Sequence, residues 1–273
     1  MSYEIKPSSV EHINLYSQLL SAVFPDSKKF TPEFLKWQYA ENPLGNVVGT
    51  DAFFEGRLVA HHATIPAQYS IGGVSHRSLI ALNNATDPAH QGKGLFTRLG
   101  NATFERAREL GYTFVITSTN ANSTPGYLSK FGFSKLTALD VRIGIGSVIT
   151  AAPAEHTAYS EWPADYLSWR LKNPEGHYSM SGRSVLTETG IPMLKAVMTS
   201  DVGIASSGLN QGGSVFRMYI GSAKSHSVRG LFINLPDKFK PSPLNLLYKD
   251  LSGDLPMLRR EDVHFGLMDF DAF

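Results

Sequence analysis

Thr86-Asp-Pro-Ala-His-Gln-Gly-Lys-Gly-Leu-Phe-Thr-Arg-Leu99 is the stretch that decides how this chain is read. It follows Ser78–Thr86, which reads as a strand with Leu79, Ile80 and Leu82 in its body. It opens a helix running from Gly94 to Leu110, with Leu95, Leu99, Ala102 and Phe104 among its apolar positions and Gly111 as its cap. Gly92 and Gly94 let the backbone come close to a ligand. The first N–H groups of a helix have no internal partner, and the helix dipole favours an anion there, so phosphate or pyrophosphate fits at this turn. Lys93 and Arg98 can add positive charge. The turn is neither a P-loop, since Gly-x-x-x-x-Gly-Lys-Ser/Thr is absent, nor the dinucleotide fingerprint, since Gly or Ala does not follow three residues after Gly94. Alone, it is equally a Gly-rich strand-to-helix turn with no ligand.

Working outward, residues 3–7 read as a first strand, and Ser9 as the N-cap of a helix reaching Val23. Thr31, Pro32 and Glu33 open a second helix, which stops at Asn42-Pro43. Ala52–Phe54 and Leu58–Pro66 form a hairpin around Glu55-Gly56-Arg57, the second strand continuing to a turn at Gly72-Gly73. After the central helix come a buried strand, Tyr112–Ser118, a short helix, Ser123–Phe131, stopped by Gly132, and a strand beginning at Phe133.

From Ser78 to Phe133 the chain resembles the GNAT superfamily of acyl-CoA-dependent N-acyltransferases. Asp87-Pro88 matches the turn that ends the family's fourth strand. Gln91-Gly92-Lys93-Gly94-Leu95-Phe96 matches its pyrophosphate loop, Gln/Arg-x-x-Gly-x-Gly/Ala. Asn120, Tyr127 and Gly132-Phe133 follow in the family's order and spacing. One position departs: Phe96 stands where Gly or Ala is usual. The loop N–H groups survive any side chain, so the ring must point away from the phosphates, into the core.

The resemblance implies an α/β fold with a mixed, splayed central sheet flanked by helices. It implies acyl-CoA as co-substrate, with the pantetheine arm lying like an extra strand in the splay. Backbone groups of Asn84 and Thr86 would pair with that arm, and Asn120 would bond it. The N–H groups of Gln91, Gly92, Lys93, Gly94, Leu95, Phe96 and Thr97 would hold the pyrophosphate. Tyr127 would give a proton to the departing thiolate, which suits a phenol neutral at pH 7. An amine would attack the thioester directly. The strand positions where such enzymes often hold a Glu offer only Leu82, Asn83 and Asn84. His61 and His62 are therefore the candidate bases beside water, and strand alternation sends them to opposite faces.

A second pattern concerns organisation. Phe34-Leu-Lys-Trp-Gln-Tyr-Ala-Glu-Asn-Pro-Leu-Gly45 and Tyr166-Leu-Ser-Trp-Arg-Leu-Lys-Asn-Pro-Glu-Gly176 repeat aromatic-Leu-x-Trp, then Asn-Pro-x-Gly. Between them, residues 149–165 read as a linker rich in Pro and Ala. This divides the chain into an acyl-CoA-binding domain, 1–150, and a smaller α+β half, 151–273, which has no second pyrophosphate loop or Asn…Tyr…Gly-Phe set. Its expected strands are 184–187, 193–199, 214–220, 229–234 and 263–270, with a Pro-rich turn at 241–243 before a short helical piece at 244–248. Either the second half is a duplicate that has lost coenzyme A chemistry, or the phrase recurred by chance. A duplicate would serve as packing partner, acceptor wall or homodimer surface. Its Trp169, Arg170, Tyr178, Arg217, Tyr219 and Arg229 could stack a base and pair a diphosphate, or simply pack. More loosely, the chain resembles enzymes that acylate amino sugars, often nucleotide-linked, for bacterial surface polysaccharides.

Composition narrows the alternatives. A net charge of +1 gives no basic field for nucleic acid or an anionic membrane. The absence of cysteine removes disulfides, thiolate metal sites and a cysteine acyl-enzyme. The nine His show no metal-ligand spacing, so no metal is expected. With no signal-peptide pattern and no apolar run long enough to span a bilayer, a cytoplasmic protein is expected.

Overall fold

The computed structural model of the chain describes residues 2–150, 157–199, 208–222, 226–236, 240 and 244–270. The Pro-rich turn at 241–243 and the centre of the 149–165 linker lie outside these. Fourteen strands and five α-helices are defined: β1 (Glu4–Pro7), α1 (Ile13–Val23), α2 (Pro32–Ala40), β2 (Val48–Phe54), β3 (Arg57–Ile71), β4 (Val74–Thr86), α3 (Leu95–Glu109), β5 (Phe114–Thr119), α4 (Thr124–Phe131), β6 (Ser134–Ala138), β7 (Asp140–Thr150), β8 (Tyr159–Ser160), α5 (Ala164–Arg170), β9 (Tyr178–Ser181), β10 (Ser184–Glu188), β11 (Leu194–Thr199), β12 (Phe216–Gly221), β13 (His226–Asn234) and β14 (Asn245–Asp250). No helix among the described residues is long and apolar enough to cross a membrane.

Local chemistry sets the helix ends as read. The Thr31 hydroxyl accepts from the Phe34 N–H with Pro32 at the first helical position, and Gly132 closes α4 at φ 67°. Ser9 caps a single 3-10 turn, Val10–His12, that leads into α1.

Two sheets result. The first runs β1-β2-β3-β4-β5-β14-β6, with β8 on the side of β3, and the second runs β13-β7-β12-β11-β10-β9. Both contain one parallel pair, β4 with β5 and β11 with β12. Read from β2 and from β9, the sheets match strand for strand: three strands in antiparallel sequence, a parallel neighbour, then two more antiparallel strands. The fifth strand of each is exchanged. β14, from the end of the chain, lies between β5 and β6, and β7 lies between β12 and β13. The sheets therefore do not divide at residue 150.

The doubled phrase marks the axis of this repeat. The Trp37 and Trp169 rings stack at 4.7 Å, and each indole N–H donates to the other's carbonyl at 2.8 Å. Asn42 and Asn173 form the same turn, their side-chain oxygens accepting from Leu44 N–H and Glu175 N–H at 3.0 Å. The two copies of the phrase thus meet reciprocally, and the two sheets match in strand order. In α5 the second half has a counterpart of α2, each carrying one copy of the phrase. Nothing in its described residues corresponds to α3 or α4.

Two expectations for the second half fail. Residues 244–248 form strand β14, not a helix, because Asn245 through Tyr248 are buried on both faces of the first sheet. Residues 263–270 form no strand. Their pairing with strands is limited to isolated bridges at Val263 and Gly266. Tyr178–Ser181 and Asp140–Thr150 are strands the sequence reading did not separate.

Candidate active site

β4 pairs with β5 only through Ser78, Leu79 and Ile80. The Thr117 hydroxyl then donates to the Ala81 carbonyl at 2.8 Å, and beyond that point β4 runs on to Thr86 paired with β3. A wedge opens between β4 and β5 at this point. Its apex carries a β-bulge: the register with β3 slips between His61 and Ala63, so Asn83 and Asn84 together oppose one residue. Asn83 has φ 50°, in the left-handed region that Asn tolerates better than most residues.

The bulge sends two adjacent amides to opposite faces of the sheet. The Asn84 oxygen accepts from the Ala63 N–H at 3.0 Å, which orients its amide so that Nδ2 donates to the Tyr127 hydroxyl at 2.5 Å. No described residue accepts the Tyr127 proton. Tyr127 is 2% exposed, and burial holds its phenol above the ordinary range although the Asn84 hydrogen bond pulls it down. On the other face, Asn83 Nδ2 donates to Gln38 Oε1 at 2.6 Å and to the Tyr39 hydroxyl at 3.0 Å.

The two histidines separate as strand alternation requires. His61 lies with α1 and α2. Its Nδ1 is 2.7 Å from Asp51 Oδ1, its Nε2 is 3.1 Å from the Tyr39 hydroxyl, and the Tyr16 ring stacks on it at 4.1 Å. Asp51 also accepts from the Tyr16 and Ser8 hydroxyls, at 2.7 and 2.8 Å. Burial pushes the Asp51 carboxyl up, but the facing charge of His61 and these hydrogen bonds outweigh it and hold it below the usual carboxylate range. His62 lies on the face of α3 and α4, among Phe96, Phe104, Tyr127 and Phe131. Neither ring nitrogen has a protein partner, and burial, with the charge of His61, lowers its pKa to about 3. A cavity of about 280 Å³ touches both histidines, Asn84, Thr86, Gln91 and Phe96. A larger groove of about 510 Å³ runs along α2 and α5 beside the Trp pair, away from these groups.

The turn before α3 leaves backbone N–H groups without internal partners. Gly92 and Gly94 have φ 70° and 75°, and a Cβ at either would meet nothing within 4 Å. Glycine is needed there for backbone conformation, not for clearance. Gly94 precedes Leu95 without a side-chain cap, which leaves the N–H groups of Leu95, Phe96 and Thr97 at the free end of a fifteen-residue helix. Lys93 reaches back to the Ala89 carbonyl at 2.9 Å, and the Gln91 amide donates to the Thr86 carbonyl at 3.2 Å. The Phe96 ring turns inward, 4.8 Å from Phe131 and 6.1 Å from Tyr127, which leaves the loop N–H groups uncovered. It fits because Gly126 has no side chain: a Cβ there would come within 2.8 Å of the ring. Asn120 spends its side-chain oxygen on the entry to α4, accepting from the N–H groups of Asn122 and Ser123 at 3.1 and 2.9 Å. Its Nδ2 is what remains for a ligand.

Against this geometry, residues 4–136 match the family model described as an acetyltransferase (GNAT) domain. Residues 4–136 are a GNAT acetyltransferase domain. The match ends just before β7, where the chain crosses into the second sheet. No curated protein matches the sequence. Among solved structures, a conserved protein from Enterococcus faecalis superposes with a TM-score of 0.62 at 10% identity, covering 92% of this chain and 73% of that one. GCN5-related N-acetyltransferases from Anabaena variabilis (TM-score 0.60, 11% identity) and Kribbella flavida (0.62, 10%) cover the same shares, 92% and 73%. At such identities the likeness is one of fold, and it extends over both halves. The family match takes in the wedge, the Asn84–Tyr127 pair and the 91–97 loop.

The structure brings Tyr127, Asn84, Thr86, His61, His62 and the 91–97 loop together around the wedge. Sequence reasoning missed Asp51, Tyr16, Tyr39 and the Asn83 side chain. Its one available signal was an Asp inside the otherwise apolar strand Val48–Phe54. In the second half, Trp169, Arg170 and Tyr219 are buried in packing, and Arg170 bonds the Leu267 and Met268 carbonyls and the Tyr178 hydroxyl. Among the described residues no group of three or more His, Asp or Glu could hold a metal.

Proposed function

We propose that the protein transfers an acetyl or short hydroxyacyl group from acyl-CoA to a primary amine, by direct attack within a ternary complex. The observation that carries this is the Asn84–Tyr127 pair at the apex of the wedge, with an anion-binding helix end beside it. Pyrophosphate would sit on the N–H groups of residues 91–97, and the pantetheine arm would lie along β4 past Thr86 and Asn84, within reach of Asn120 Nδ2. The thioester then meets the bulge. As the amine adds to the carbonyl, a backbone N–H of the splayed strand stabilises the oxyanion. Collapse breaks the C–S bond, and Tyr127 gives its proton to the thiolate.

A chain without cysteine fits direct attack. Initial rates varied in both substrates should give intersecting double-reciprocal lines. Parallel lines would mean a covalent acyl-enzyme and contradict the proposal. Within the amine class, the sequence resemblance puts a nucleotide-linked amino sugar first, ahead of antibiotics, polyamines and peptide amines. With the second-half aromatics engaged in packing, such an acceptor would be held from the first half, where Val23 and Phe24 border the cavity. We place the reaction in the cytoplasm, where acyl-CoA is available. We further propose a homodimer through the second sheet, supported by the paired and exposed Leu231 and Ile145, with Ile233 beside them. Leu231→Glu should lower the sedimentation coefficient, and a wild-type monomer would refute the dimer.

A further inference from the structure

Asn83, next to the residue that holds the acid, is hydrogen-bonded to a phenol that leads into a buried carboxylate–imidazole pair. Asp51, His61 and Tyr39 are each 1% exposed or less. The polarity of the chain is set by its ends. Asp51 accepts from the Ser8 and Tyr16 hydroxyls, so the nitrogen 2.7 Å away, His61 Nδ1, is the one that donates to it. His61 Nε2 is then a lone pair facing Tyr39 at 3.1 Å, and the Tyr39 O–H donates to it. The Tyr39 oxygen accepts from Asn83 Nδ2, beside the bulge, and keeps a second lone pair.

We propose that Asp51, His61 and Tyr39 form the proton-accepting relay of this enzyme, with Tyr39 the group that meets the acceptor amine at the bulge. The inference rests on the N-acyltransferase reading. As the amine nitrogen bonds to the thioester carbon, its N–H bond breaks toward Tyr39 Oη. The Tyr39 proton passes to His61 Nε2, and the imidazolium so formed lies against the Asp51 carboxylate. On the opposite face Tyr127 protonates the thiolate. The acid and the base path thus approach the thioester through adjacent bulge residues, Asn84 and Asn83, from opposite sides of one sheet. Tyr39 acts as a conduit, not a phenolate: burial and the nearby Asp51 hold its phenol well above the ordinary range, against the pull of Asn83. Asp51 and His61 act through it and are positioning residues. The other titratable groups facing His61 or its carboxylate are Tyr16, His12, whose Nδ1 is 3.7 Å from Asp51, and the adjacent His62.

Two measurements on the full chain decide the proposal. Two-bond ¹⁵N–¹H correlation spectra of the free protein at pH 7.5 should show His61 neutral and protonated on Nδ1. A proton on Nε2, or an imidazolium at that pH, overturns the relay whatever the protein's activity. With acetyl-CoA and glucosamine as probes, Tyr39→Phe should lower kcat by about 10²–10⁴-fold, the range of general acid–base catalysis, with KM for acetyl-CoA unchanged. His61→Gln should remove the acidic limb of the kcat–pH profile. A variant that is slower but keeps that limb would reduce His61 to a structural role and overturn the proposal. If the wild type releases no coenzyme A with glucosamine, the spectra still decide the relay.

Discussion

Replacing Tyr127 by Phe separates an enzyme from a module that only binds acyl-CoA. The change removes one oxygen. That oxygen accepts from Asn84 Nδ2 at 2.5 Å and, in the mechanism, donates to the thiolate. Losing the acid should lower kcat by about 10²–10⁴-fold, or about 2.7–5.4 kcal/mol of barrier. Losing the acceptor leaves the Asn84 donor unpaired, which costs about 1–3 kcal/mol of stability. For a chain of this size that is a fall in Tm of about 2–12 °C, so the variant should still be folded at 25 °C. The proposed coenzyme A contacts do not include the Tyr127 hydroxyl before the thiolate leaves, so its Kd by calorimetry should change less than about threefold, under 1 kcal/mol. A stopped assay of thiol release at saturating acyl-CoA reads the rate. A variant that keeps a third or more of wild-type kcat would refute Tyr127 as the acid, and with it the role given to the Asn84 bulge.

Other consequences follow from the same geometry. Trp37→Ala and Trp169→Ala should each cost about 3–5 kcal/mol in urea unfolding, with the double variant falling short of their sum by about 0.5–3 kcal/mol; simple additivity would deny the reciprocal contact. Residues 1–150 alone lack β14, so β5 and β6 lose the strand that joins them. The fragment should not unfold cooperatively, and a sharp calorimetric transition would contradict the strand exchange. Gly94→Ala should cost about 1–2 kcal/mol through its φ of 75°, whereas Gly213→Ala, with equally open space and no positive φ, should cost almost nothing. His62 has a folded pKa of about 3 against 6.5 unfolded, so the unfolded chain binds the proton first as pH falls. Stability from this group is present above about pH 6.5 and declines by about 5 kcal/mol toward pH 3. His62→Leu should flatten that part of the stability–pH curve, and an unchanged slope would place the acid sensitivity elsewhere.

How much was legible follows from where each signal resides. The first half was readable because its signals are local: a Thr-Pro helix start, glycine stops, hairpin turns, and a glycine turn between a strand and a helix. The second half was readable only in part. Asn245–Tyr248 is a short apolar run buried on both faces, and such a run looks the same whether helix or strand. Only insertion between β5 and β6 decides it, and that contact joins residues more than a hundred positions apart. Ring position 96 was inferred correctly from steric need alone, since a Phe must leave the phosphate side. The Asp51–His61–Tyr39 chain was not inferable. Its members sit on β2, β3 and α2, and no periodicity links them. The doubled Trp phrase was visible as a repeat, but its meaning, a stacked and mutually bonded pair, required the fold.

The most direct test of the account is coenzyme A release by the purified full-length protein. Acetyl-CoA and longer acyl-CoAs would be offered against nucleotide-linked amino sugars, polyamines and aminoglycosides. The account predicts thiol release that depends on an amine acceptor, fastest with an amino sugar, and slowed about 10²–10⁴-fold by Tyr127→Phe. Coenzyme A that binds but is not released with any amine would contradict catalysis, and a protein that does not bind it at all would contradict the assignment of residues 91–97.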